Sequence, residues 1–103
     1  MGLFSSMFGS PSAKYSQTEH ALSELKIREL VSRVRINSLS KGEEEIVERT
    51  LIAGRLGDGK ISLRRIDEIL RKLVNTNNIS IYDKKALIKI FEDYYKDTYG
   101  EKK

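Results

Sequence analysis

The chain has no cysteine, and its 103 residues include one proline and one histidine. The missing cysteines exclude disulfides, thiolate metal sites and thiol nucleophiles. The single histidine, His20, lies beside Glu19 at the expected start of a helix, where an imidazole is read as solvent-facing rather than as a general base. No serine sits in a nucleophile-elbow setting, and no glycine-rich run has P-loop or dinucleotide spacing. The acids Glu43, Glu44 and Glu45 fall in a first helical turn, where they complement the helix dipole. The expectation is a protein that is not an enzyme and carries no cofactor.

What is present fits one small domain. Charged residues make up 33% of the chain and hydrophobic residues 39%. That supports a modest core but not a large enclosed active-site cavity. The net charge is +4, unevenly spread. Residues 41–50 hold two basic against four acidic groups, whereas residues 51–74 hold six basic against three acidic. The basic excess therefore peaks around Lys60, Arg64, Arg65 and Arg71, where it could meet a phosphate, an anionic membrane surface or only water.

Residues 1–16, MGLFSSMFGSPSAKYS, differ in composition from the rest, with three Gly or Pro breakers and five serines. Their apolar cluster is too short to span a bilayer and lacks the build of a signal peptide. As a helical turn it would put Leu3, Phe4, Met7 and Phe8 on one face. These four are the candidate membrane or partner contact on a flexible leader. Met1-Gly2 with Ser6 also matches the minimal N-myristoylation pattern.

From Thr18 the periodicity predicts four helices, an all-α fold built as a small orthogonal or up-down four-helix bundle. The domain is expected over residues 17–97, with a frayed tail at 98–103. Helix one is placed at Glu19–Ile36, with Leu22, Leu25, Leu30, Val31 and Val34 inward. Helix two starts after Ser40, which forms a capping box with Glu43; its apolar second half, Thr50–Leu56, marks it as the most buried helix. Helix three starts after Ser62, with Leu63, Ile66, Ile69, Leu70 and Leu73 inward and its charges outward. Helix four starts after Ser80, boxed with Asp83, and buries Leu87, Ile90, Phe91 and Tyr94. Asn75-Thr76-Asn77-Asn78 is turn chemistry. Ile61-Ser62-Leu63 and Ile79-Ser80-Ile81 share one helix-start pattern, an apolar residue on either side of a serine cap.

The junction Gly57-Asp58-Gly59-Lys60 has three readings. As an EF-hand loop with Gly59 sixth, it would need oxygen ligands where Gly54, Leu56 and Arg65 stand, so a calcium site is rejected and Asp58 alone remains a weak metal candidate. As a DNA-reading helix–turn–helix, Ala53, Gly57, Leu63 and Ile66 meet the spacing and Lys60, Arg64 and Arg65 would face the nucleic acid. As a structural corner, a glycine in the left-handed region turns one helix into the next and needs no ligand.

The run Leu51-Ile52-Ala53 with Asp58-Gly59-Lys60-Ile61-Ser62 resembles the A-x-x-D-G-x-I-S corner of TerB-like helical domains, associated with tellurite resistance. The likeness extends over about residues 46–95, through Ile79-Ser80 and the helix from Leu87 to Phe91. It implies a stress-linked, membrane-proximal interaction module, with Asp58 as the one transferable site residue. Arg65 stands where that pattern has an acid. The expected function is thus a non-catalytic helical module that binds a protein partner, at a membrane surface through its N-terminal tip. A small basic DNA-binding regulator is the alternative. A cytoplasmic location, peripheral at the inner membrane face, goes with the first reading, and exposed Tyr94, Tyr95 and Tyr99 leave room for a homo-oligomer.

Overall fold

The computed structural model describes residues 15–35 and 39–100. The element order is β1 (Glu19–Ala21), α1 (Glu24–Arg35), α2 (Lys41–Ala53), β2 (Lys60–Ser62), α3 (Leu63–Asn75) and α4 (Ile81–Tyr99). Four helices carry the fold, as the periodicity predicts. The two short strands, which pair antiparallel, correct the expectation of a purely helical chain.

Three serines start three helices. Ser40, Ser62 and Ser80 have extended backbones, and their side chains accept from the amides of Glu43, Arg65 and Asp83. In α2 and α4 the third residue returns the bond to the cap amide, so both capping boxes close. The end of α3 turns through Asn77 at φ 64°, a left-handed position that asparagine tolerates well. α4 ends at Gly100, also left-handed.

The core joins Ile27, Leu30 and Val31 of α1 to Val47 and Leu51 of α2, with Ile66, Leu70, Leu87, Phe91 and Tyr95 from α3 and α4. Helix α1 begins at Glu24, five residues later than expected, and this changes its inward face. Its stripe is Ile27, Leu30 and Val31, whereas Leu25 points to solvent and is 80% exposed. Leu22 is buried, but it precedes the helix. Nor is α2 the most buried helix. It buries Val47, Glu48 and Leu51, whereas α3 buries six residues, among them the acid Asp67 that was expected to face outward.

Two of the buried charges tie helices together. Asp67 of α3 is 0% exposed and meets Lys84 Nζ of α4 at 2.7 Å, with Arg71 Nη2 at 3.8 Å. Glu48 of α2 meets Arg28 of α1 at 3.4 Å. Burial first, then the neighbouring Glu44 carboxylate, raises the Glu48 pKa above the usual carboxylate value, and Arg28 opposes the shift. A carboxyl that binds its proton more tightly folded than unfolded weakens the fold as pH rises past its unfolded pKa of about 4.3. Glu48→Gln is therefore expected to melt higher than the wild type at pH 7, with the gap closing as both are taken below that pKa in thermal melts. An equal gap at both pH values would contradict this assignment.

Candidate functional site

The Gly57–Lys60 junction is built into a structural knot. The strands align Glu19 with Ser62, His20 with Ile61 and Ala21 with Lys60. The pairing runs on one step further, because the Leu22 amide donates to the Gly59 carbonyl at 3.1 Å. Arg55 Nη1 donates to the Leu22 carbonyl at 3.0 Å. Within the loop, the Leu56 amide donates to the Lys60 carbonyl and the Gly59 amide to the Leu56 carbonyl, both at 2.8 Å. Gly59 sits at φ +83°, a left-handed conformation, and a Cβ there would meet Arg55 Nη1 only at the ordinary contact distance of 3.5 Å. Nothing lies within 4 Å of a side chain added at Gly57. Gly59→Ala is accordingly expected to cost about 1–2 kcal/mol in urea unfolding, and Gly57→Ala to cost much less. Equal losses would show that the turn does not depend on Gly59.

Helix α4 closes the other side of the strand pair. Tyr95 donates its hydroxyl to the Ile61 carbonyl at 2.7 Å, and Tyr99 donates to the Ala21 carbonyl at 2.6 Å. His20 stacks on the Tyr99 ring, with centroids 4.1 Å apart and planes 6° apart, and meets Tyr95 edge-on at 5.6 Å. Burial first, then the adjacent Tyr94, raises the Tyr99 phenol above its ordinary pKa. The imidazole expected to face solvent is instead half-buried in this aromatic cluster. Of the three tyrosines expected to be exposed, Tyr95 is buried and Tyr94 half-buried, whereas Tyr99 is exposed at 37%.

Of the residues singled out at this corner, Asp58 accepts from the Lys60 amide through Oδ1 at 3.1 Å, a local turn-closing bond. Among the described residues no three His, Asp or Glu groups come together in a way that could hold a metal ion. The corner also differs from a tight helix–turn–helix. α2 ends at Ala53 and α3 begins at Leu63, so an irregular loop and strand β2 separate them, where that motif uses a turn of about three or four residues.

The basic residues divide between two surfaces. Lys60, Arg64 and Arg65 line one open depression of about 380 Å³ with Leu56, Glu19 and Glu68. Arg64 is committed there to the fold: its amide donates to the Ser16 carbonyl and its Nε to the Tyr15 carbonyl, at 3.1 and 3.2 Å. Arg65 faces Glu68 at 3.7 Å. Arg71 lies elsewhere. It lines a second open groove of about 450 Å³, between α3 and α4, with Tyr15, Ile81, Lys85, Ile88 and Lys89. The charges on α3 therefore do not form one continuous basic stripe.

Tyr15 is 6% exposed in this second groove. Its carbonyl accepts from Arg64 Nε. Leu3, Phe4, Met7 and Phe8 lie outside the described residues. No local sequence pattern gives the groove, although Lys85 and Lys89, which line it, stand four residues apart on one helix face. Among the described residues, no helix is long and apolar enough to cross a membrane. Comparisons with protein-family models, with curated proteins and with solved structures give no match.

Proposed function

We propose that this chain is a non-catalytic helical interaction module that works at a membrane surface and meets a protein partner there. Leu3, Phe4, Met7 and Phe8 are its membrane contact. The observation that supports this reading most is the position of Tyr15. Tyr15 is buried at the edge of the α3–α4 groove and is held by Arg64. Phe8 is seven residues upstream, so chain length alone keeps it within about 25 Å of that groove. An apolar tip on such a tether acts next to one defined face of the domain. The TerB-like resemblance of the Asp58–Ser62 corner points to the same kind of module.

The chemistry of the described residues agrees with a docking role. The buried acid Asp67 pairs with Lys84 across two helices, and His20 stacks on Tyr99 and meets Tyr95 edge-on. The DNA-binding alternative is weakened because Arg64 is spent on backbone carbonyls and the Lys60 depression also holds Glu19 and Glu68.

Flotation with phospholipid vesicles tests the reading. The full chain is expected to float, and a chain lacking residues 1–9 to lose most of that binding. Unchanged flotation of the shortened chain would remove the membrane half of this function. Duplex DNA titrated under the same conditions is expected to give no binding. An affinity that falls steeply with salt and is lost in Arg64→Ala with Arg65→Ala would put the DNA regulator in its place.

A further inference from the structure

We propose that the outward face at the start of α4, together with Arg71 of α3, is a docking surface for an anionic lipid bilayer. This rests on the reading that the chain works at a membrane, and it names a second contact that lies wholly within the folded domain.

The two matching helix starts expose the difference. Leu63, just after the Ser62 cap, is 3% exposed. Ile81, in the same place after Ser80, is 41% exposed, and Tyr82 beside it is 75% exposed. The fold leaves an aliphatic and an aromatic side chain uncovered at one spot. Tyrosine suits the boundary between headgroups and acyl chains, because its ring is apolar and its hydroxyl stays wet.

Cations lie beside that spot, since Arg71, Lys85 and Lys89 line one groove with Ile81. Tyr82, Lys85 and Lys89 are spaced three and four residues apart, so they share one side of α4. Lys85 is exposed, and Lys89 is 70% exposed. The exposed pair that Lys89 makes with Asp93 at 3.2 Å is of the kind that contributes little and exchanges readily for another anion. Arg71, which also faces Asp67 at 3.8 Å, adds a third cation across the groove, and among the described residues Glu92 is the one acid lining it. An apolar tip ringed by lysines with long apolar stems matches a surface of lipid phosphates over hydrocarbon. Tyr15 lines this same groove, and chain length keeps Phe8 within about 25 Å of it, so both contacts can meet one bilayer together.

The test is flotation of the full chain on vesicles of phosphatidylcholine alone and of phosphatidylcholine with phosphatidylglycerol in equal parts. Lys85→Gln with Lys89→Gln is expected to lower the partition onto anionic vesicles about 30-fold, from the attraction of each lysine to such a surface. The same double variant should leave binding to neutral vesicles unchanged. Tyr82→Ala should weaken binding to both. All three positions are exposed, and circular dichroism melts should match the wild type. If the double variant floats like the wild type on anionic vesicles, the proposal fails and an acidic segment of a protein partner becomes the occupant to seek. Loss of binding on deleting residues 1–9 with no effect of the double variant supports the leader and overturns this surface. The reverse pattern supports this surface and overturns the leader.

Discussion

Asp67→Ala lowers the unfolding free energy by about 3–5 kcal/mol, because it leaves the Lys84 ammonium buried without its counterion. Lys84 is 9% exposed at its side chain and sits 2.7 Å from Asp67 Oδ1. Water therefore has little access to replace the lost carboxylate. Arg71, at 3.8 Å and half-buried, is affected less because its head can turn to solvent. The pair joins α3 to α4 without being a large net source of stability, since apolar residues of similar size do as well in many such sites. Asp67→Leu with Lys84→Met is accordingly expected to recover most of the loss. Urea unfolding of the two single variants and the double variant measures the coupling. A single-variant cost below about 1 kcal/mol would place the pair in a solvated setting.

Phe91→Ala is expected to cost about 3–5 kcal/mol as well, by a different route. Phe91 is 0% exposed in the middle of α4, among Leu87, Ile88 and Tyr95 of the same core. Its removal deletes a large apolar surface and leaves a cavity that helices on either side can only partly close. A domain of this size has a total stability of about 5–15 kcal/mol, so the variant should be partly unfolded at physiological temperature by circular dichroism. Phe91→Leu should keep most of the native signal. If both variants melt with the wild type, Phe91 does not pack in the core as described.

Much of this fold is legible in the sequence. Ser40, Ser62 and Ser80 mark their helices because a serine oxygen caps an amide wherever the next residues can turn helical. The inward residues of α3 follow from a strong helical period. The strand β1 is not legible: Glu19-His20-Ala21 has no β-branched residue, and its partner lies some forty positions away at Lys60–Ser62. Once those residues are drawn into a strand, the first helix starts late and Leu25 turns outward. Asp67 looked like a surface charge because its partner Lys84 belongs to another helix, and periodicity carries no information across helices.

The candidate site was harder to read. Lys60, Arg64, Arg65 and Arg71 are near neighbours in sequence, but the fold directs Arg64 to the chain near Tyr15 and Arg71 to a different groove. A charge count along the chain does not distinguish a side chain bound to backbone carbonyls from one left for a ligand. The Ile81-Tyr82 surface depends on how the α4 start sits against α3, which no local pattern encodes.

The most direct measurement of the central claim uses the absence of cysteine from this chain. A single cysteine at position 82, carrying an environment-sensitive fluorophore, reports on the proposed bilayer face. One at position 56 reports on the β2 corner, which the Tyr95–Ile61 bond holds toward the other end of α4. On adding anionic vesicles, emission from position 82 is expected to shift to shorter wavelength while emission from position 56 stays unchanged. A shift at position 56 with none at position 82 would contradict the account.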